Sequence, residues 1–215
     1  MLNLGEYRTR ADRLADHLPW AALVAPGIVL NKDGSFQRSF RFRGPDLESS
    51  TEAELVAACA RLNNALRRLG SGWALFFEAE RLAAPGYPAS NFPDGASWLV
   101  DQERRAAFEE GGAAHFENVY HGTLLYMPSS DSVRRAGAFF VESDAPEAGR
   151  NWREDVSTFA LETDRVLDLL AGVFPEIALL NDDETLSYLH NTVSERRHAI
   201  TAPDVPIYLD AVLVD

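Results

Sequence analysis

The chain has 215 residues, 46% hydrophobic and 25% charged, so it is able to bury a core in one or two domains and is not a disordered chain. Its formal net charge of −13 opposes any general attraction to DNA or to an anionic lipid surface. The single cysteine, Cys59, excludes an internal disulfide and a cysteine-rich zinc site and fits a reducing compartment such as the cytoplasm.

The N-terminal region mixes charged and apolar residues, unlike a secretory signal peptide. Residues 4–18 are predicted to form a charged helix that Pro19 ends. The longest apolar run, Trp20 to Leu30, is much shorter than the roughly 20 residues of a membrane-spanning helix, and Pro26 and Gly27 interrupt it. We therefore expect no membrane span.

Residues 27–44, GIVLNKDGSFQRSFRFRG, predict a β-hairpin, because Asn31 to Gly34 supply turn residues between two β-rich runs. Alternation in the second strand separates two faces: Phe36, Arg38, Phe40 and Phe42 on one, and Gln37, Ser39, Arg41 and Arg43 on the other. One interpretation is a half-buried strand with phenylalanines inward and arginines outward, which would discourage edge pairing. The alternative is a nucleic-acid-binding module that uses residues 35–44. The acidic composition favours the first.

Thr51 and Glu54 form a capping box that predicts the start of a helix. Its predicted buried stripe consists of Leu55, Cys59, Leu62, Leu66 and Leu69, which makes Cys59 a buried, unreactive thiol. Residues 73–80 carry large apolar side chains at both strand parities, so we expect a central strand covered on both faces.

Further elements alternate along the rest of the chain. They are a helix after a Ser97 cap, a strand over 117–128, a helix from Asn151, a strand over 174–180, a helix over 182–197 and a final strand over 207–215. Residues 129–150 fit either a helix or a strand. This order predicts an α+β fold, a mixed α/β sandwich with one sheet covered by helices, which is ferredoxin-like or a doubled version of that arrangement.

The sequence offers no complete catalytic motif. Lys32 is the only lysine and Asp33 follows it, so the chain contains no phosphate-binding loop of the form GxxxxGK[ST]. The five histidines form no HExxH motif, and His115 and His121, near Glu117, have weak spacing for a metal site. A hydrolase built on Ser71 or His121 would lack its remaining partners. We predict no catalytic, cofactor-binding or metal-binding residue.

Several stretches together resemble a known family. They are LPWAALVAPGIVLNKDGSFQRSFRFRGPDL, ARLNNALRRLGSGWALFFEAER, SWLVDQERRAAFEEG, HFENVYHGTLLYMP and PEIALLNDDETLSYLHNTVS. In this order they are similar to the N-terminal part of the VirB/CagE/TrbE family of type IV secretion ATPases, and within it to the conjugal-transfer TrbE branch. The resemblance covers nearly the whole chain and is weakest near residues 129–150.

The resemblance implies that residues 1–215 are a non-catalytic docking and assembly domain, with a subdivision near residues 129–150 left open. The catalytic ATPase domain, with its ATP and Mg²⁺, would be absent from this chain. The implied partners are the inner-membrane channel subunits and other copies of the motor, at the cytoplasmic side of the bacterial inner membrane, and nucleic acid is not expected. As the candidate partner surface we predict Trp20, Ile28, Arg41 and Arg43.

Overall fold

The structure, a computed structural model, describes residues 13–45, 49–84, 86–110, 115–128, 148–203 and 207–214. Its strands are β1 (Trp20–Ala25), β2 (Ile28–Asn31), β3 (Phe36–Arg43), β4 (Trp73–Ala83), β5 (Phe116–Tyr126) and β6 (Glu176–Leu179). Its helices are α1 (Leu14–His17), α2 (Glu52–Leu66), α3 (Gly95–Glu110), α4 (Ala148–Leu170), α5 (Asp182–Val193) and α6 (Asp210–Leu213). The start of the predicted helix over 4–18, and most of the ambiguous region 129–150, lie outside the described residues.

The strands form a six-stranded sheet in the order β1-β2-β3-β5-β4, and β6 also pairs with β3. β2 pairs with the first half of β3 and β6 with its second half, both antiparallel. The succession β3-α2-β4-β5-α4-β6, with the spatial order β6-β3-β5-β4, is that of a ferredoxin-like βαββαβ unit. The predicted α+β class is confirmed, and the β1–β2 hairpin is an addition to this unit.

Helices cover one face of β3 and also the opposite face of the sheet where β2 pairs with the first half of β3. On one face, Phe40 and Leu124 pack with Ala65 of α2 and with Leu170 of α4. Phe36 continues this face toward β2, where it packs with side chains of α4. On the opposite face, Val29 packs with residues from α5 and from the C-terminal region, namely Leu186, Leu189, Ile200, Leu209 and Leu213. The core therefore has two layers with the sheet between them.

The chain separates into two compact units. One contains residues 1–77 and 121–215, and the other contains residues 78–120. The smaller unit comprises the far ends of β4 and β5 and the intervening helix α3. Within it, the backbone N–H of Ala84 donates to the carbonyl oxygen of His115 at 2.8 Å.

Three predicted elements differ from the structure. The run that starts at Trp73 was predicted to be a central strand, but it forms β4, the last strand in the order of the described sheet. Its residues Phe76 and Phe77 are exposed. The predicted final strand over 207–215 contains a short helix, α6. Helix α4 already includes Asn151, so this residue is not its cap.

The hairpin of β1 and β2 depends on a proline–glycine turn that was not among the predicted turns. Gly27 has φ +65°, the left-handed conformation that glycine adopts without strain, and Pro26 precedes it as in a type II turn. The N–H of Gly27 donates to Oδ1 of Asp182 at 2.6 Å, so the turn is fastened to the start of α5. A Pro-Gly pair between two apolar runs was the available signal.

Candidate interaction surfaces

The phenylalanines of β3 face the protein interior. Phe36 and Phe40 are buried, and Phe42 packs against Phe174 with ring centroids 4.6 Å apart. Buried rings are not available to stack on nucleobases. The geometry therefore excludes base stacking by Phe36 and Phe40, on which the nucleic-acid interpretation of residues 35–44 depended. The inward face of β3 is therefore part of the core.

Arg38 shares this inward face and is held by helix α4. Its Nη1 donates to Asp164 Oδ1 at 2.6 Å and to Thr163 Oγ1 at 2.9 Å. It also lies 3.3 Å from the carbonyl oxygen of Ala160. A charge at such a buried position needs partners of this kind, and together they fix β3 against the helix.

The four predicted surface residues separate into two pairs. Trp20 and Ile28 are only 8% and 1% exposed and belong to core clusters, so they offer little surface to a partner. Arg41 and Arg43 are exposed. Both lie on the outward-facing second half of β3. For Arg41 and Arg43 the assignment to a partner surface stays a prediction.

Arg41 and Arg43 lie on a part of the sheet that we call the open sheet face, formed by Arg41, Arg43, Phe76, Glu176 and Ala178. Arg41 is opposite Ala178 and Arg43 is opposite Glu176, with a 3.1 Å ion pair between the latter two. All four are exposed, whereas Gln37 and Ser39, further back on the same face of β3, are buried.

Phe76 joins this face through the strand order. Ser39 and Thr123 share a 2.8 Å hydroxyl–hydroxyl hydrogen bond, which puts Thr123 on the outward side of β5. Where β4 and β5 begin to pair, the carbonyl oxygen of Gly72 accepts a hydrogen bond from the N–H of Met127. Because the two strands are antiparallel, a count of four residues forward from Gly72 and four back from Met127 places Phe76 opposite Thr123. Phe76 is 58% exposed. The open sheet face thus combines arginines with an exposed aromatic ring.

A groove of about 450 Å³ lies where the end of α2 approaches α4. Its apolar lining includes Trp73 and Leu69, and its charged residues are Arg68, Arg165, Glu162 and Asp168. Arg165 is paired with Glu162. The charges of both signs compensate each other, so the groove has no marked preference for an anionic ligand.

In the smaller unit, one face of helix α3 makes side-chain contacts with Tyr87 and His115. Tyr87 donates to Asp101 Oδ1 at 2.6 Å, and this hydrogen bond is the main reason that the pKa of Tyr87 is raised. Phe108 stacks on the ring of His115 with centroids 3.8 Å apart. The helix begins near Asp94, whose carboxylate accepts from the N–H of Ser97 at 2.8 Å, so Asp94 replaces the predicted Ser97 cap.

Candidate catalytic groups are not brought together in the part of the chain that the structure describes. No cluster of three or more metal-ligand side chains occurs among these residues. His121 lies against the ring of Tyr188, with centroids 4.5 Å apart. Cys59 is exposed on α2, so the prediction of a buried thiol is wrong. Within the described residues, no helix has the length and apolar character needed to cross a membrane.

The described residues therefore define an α+β domain built on a ferredoxin-like sheet, with exposed faces on the sheet and on α3. Residues 27–133 match the family described as "Type IV secretion system ATPase VirB4/TrbE, N-terminal domain". The "Conjugal transfer protein TrbE" of Rhizobium radiobacter is 31% identical over 228 residues, which cover 98% of this chain and 27% of that protein.

A second relative, from Sinorhizobium fredii (strain NBRC 101917 / NGR234), is described as the first portion of a "Probable conjugal transfer protein TrbE" and is 39% identical over 133 residues. That alignment covers 60% of this chain and 88% of the relative. The chain belongs to the VirB4/TrbE family of type IV secretion ATPases and is similar to its N-terminal domain and to TrbE proteins of conjugal transfer. It spans about a quarter of the length of the Rhizobium relative.

Proposed function

We propose that this chain is a docking and assembly domain of a conjugative type IV secretion ATPase. In this role it connects the motor to inner-membrane channel subunits and helps motor subunits to associate for DNA and protein transfer. The observation that carries the proposal is the open sheet face, where exposed arginines and Phe76 occupy a firmly packed sheet. Aromatic residues and arginine are enriched at protein interfaces, which supports a protein partner.

The ATP-hydrolysing chemistry is assigned to a separate part of the motor, where ATP and Mg²⁺ would bind. The absence of a GxxxxGK[ST] motif from this sequence supports that division. We expect the chain to lie on the cytoplasmic side of the bacterial inner membrane, held there by its protein partners. Saturable nucleotide binding by the purified chain, measured by calorimetry, would contradict this assignment.

Site-specific photo-cross-linking in donor cells tests the docking role. A photoreactive phenylalanine analogue is placed at Arg41 or at Phe76, and its products are identified by mass spectrometry. We expect adducts with inner-membrane channel subunits from both positions. The matched control is Val56, an exposed apolar residue on α2, which should give no such adduct. Equal yields from all three positions would contradict a docking role for the open sheet face.

The same experiment addresses nucleic acid as the alternative partner. Arg41 and Arg43 are exposed and could contact phosphates, but Phe36 and Phe40 of β3 are buried, which leaves Phe76 as the ring of the open sheet face on which a base could stack. A DNA adduct from position 41, together with salt-sensitive binding of labelled single-stranded DNA that the Arg41→Glu variant loses, would favour the nucleic-acid module.

A further inference from the structure

Helix α3 has an outward face that is exposed in the part of the chain that the structure describes. Leu99 and Val100 are 56% and 52% exposed, and the neighbouring Trp98 is 54% exposed. At helical spacing, the outward stripe consists of Ala96, Leu99, Val100, Glu103, Ala107 and Glu110, all of them exposed. Leu99 and Val100 are adjacent on this stripe, whereas Trp98 lies outside it, and adjacent large apolar side chains left in water on one helix face indicate an interaction site.

This outward face cannot be buried simply by rotation of the helix, because the opposite face is fixed within the unit. Asp101 is buried and accepts the hydrogen bond of Tyr87. Arg105 lies over the Tyr87 ring at 4.8 Å, and Phe108 stacks on His115. These contacts hold α3 in one orientation, so Leu99 and Val100 are presented to solvent in a defined geometry.

The charge of the unit defines the chemistry of its partner. The first two turns of the outward stripe are apolar, and Glu103 and Glu110 follow. Within residues 78–120 the arginines are Arg81, Arg104 and Arg105, whereas the acidic residues are Glu78, Glu80, Asp94, Asp101, Glu103, Glu109, Glu110 and Glu117. An apolar patch inside a negative field attracts a segment that is apolar and cationic.

We propose that the outward face of α3 docks a cationic amphipathic helix of a partner protein. With a rise of about 1.5 Å per residue, Glu103 and Glu110 lie about 5 and 15 Å along the axis from Val100, so the partner places lysine or arginine at these distances from its apolar anchor. A second copy of this acidic chain, or an anionic membrane, meets like charge at this face. The inference rests on the proposed docking role but uses a surface other than the open sheet face.

Fluorescence anisotropy with synthetic helices tests the proposal on the full chain. The probe is a labelled peptide of leucine and lysine at amphipathic helical spacing, and its counterpart carries glutamate in place of lysine. We expect the leucine–lysine probe to bind, with affinity reduced about tenfold or more in the Leu99→Glu/Val100→Glu variant and reduced by added salt. The Glu103→Lys/Glu110→Lys variant should lose this probe and gain the leucine–glutamate probe.

The matched control is Val56→Glu/Leu161→Glu, which makes the same change of charge at two exposed apolar residues outside the smaller unit and should bind as the parent chain does. Equal weakening by both double variants would show only general charge attraction and would overturn the proposal. Two other results would overturn the proposal: self-association of the chain that depends on Leu99 and Val100, and binding to phosphatidylglycerol vesicles that depends on the same two residues. Circular dichroism checks that each variant is folded. Cross-linking from Arg41 reports on the docking role separately, so failure of one proposal is distinguishable from failure of the other.

Discussion

The ring of Phe40 on β3 lies directly against Gly122 on the neighbouring strand β5. A Cβ atom at residue 122 would lie 2.7 and 2.8 Å from the two Cε atoms of that ring, closer than carbon atoms pack. Phe40 is fully buried between the sheet and its helices, so the ring has no space into which to move. The absence of a side chain at 122 is therefore what admits a large aromatic ring at the centre of the sheet.

We expect Gly122→Ala to lower the free energy of unfolding by about 1–3 kcal/mol, because the added methyl group overpacks the core. Urea denaturation followed by circular dichroism measures this loss. Gly70→Ala is the control, because a Cβ there meets nothing within 4 Å. If both variants unfold at the same urea concentration, the close packing of Phe40 on Gly122 does not constrain the fold.

The contacts of Arg38 predict that the two partners of its ion pair with Asp164 contribute unequally to the free energy of unfolding. Arg38→Met removes a guanidinium whose side chain is only 12% exposed and should destabilise the chain by about 1–2 kcal/mol. Asp164→Asn should cost only about 0–1 kcal/mol, because Asp164 is half exposed and Thr163 and Ala160 still accept from the arginine. Urea midpoints test the order; a larger loss in Asp164→Asn would contradict it.

The cap of α2 should make its first turn sensitive to acid. The backbone N–H of Thr51 donates to Glu54, and this bond, followed by that from the Thr51 hydroxyl, lowers the pKa of Glu54. A lowered folded-state pKa contributes stability above the unfolded value of about 4.3, and that stability is lost as the pH falls through the folded value. The protection of the amides at the start of α2, measured relative to their intrinsic exchange rates, should therefore decrease at low pH.

Glu54→Gln provides the comparison for this acid sensitivity, since it removes the titrating group and keeps a hydrogen-bond acceptor. Its first-turn amides should exchange at rates that depend less on acid, once intrinsic exchange is corrected. The α5 cap formed by Asn181 and Glu184 serves as an internal reference. If the parent and Glu54→Gln show the same pH dependence at α2, the ionised cap is not the cause.

Cys59 should react with a maleimide or an aromatic disulfide reagent in the native chain, because its side chain is exposed on α2. We expect complete labelling without denaturant and an unchanged circular dichroism spectrum afterwards. Cys59→Ser provides the unlabelled control. A thiol that reacts only after addition of urea would contradict this exposure.

The misplacement of Cys59 shows what periodicity alone was able to predict. The sequence located α2 and its capping box correctly, because a cap is a local pattern. It also predicted that Leu62, Leu66 and Leu69 face the core. The packed face, however, is centred on Ala65, a residue too small to stand out in a hydrophobic pattern, and this rotation exposes Cys59.

Strand positions were harder to infer than strand existence. The hairpin of β2 and β3 follows from local turn residues and is confirmed. The run that begins at Trp73 contains apolar residues at both parities, which is typical of a central strand, yet it lies at the end of the described strand order. Arg41 and Arg43 were correctly placed outward, whereas the exposed side chains of Phe76 and of α3 depend on tertiary coverage that no local pattern encodes.

The pairing of Arg43 with Glu176 has a consequence during synthesis of the protein. These residues are 133 positions apart, so at about 5–20 residues per second the ribosome completes β3 roughly 7–27 s before it completes β6. In that interval the second half of β3 lacks its antiparallel partner on that edge. Its outward arginines then act as gatekeepers, because charged side chains discourage the pairing of an unfinished strand with other nascent chains.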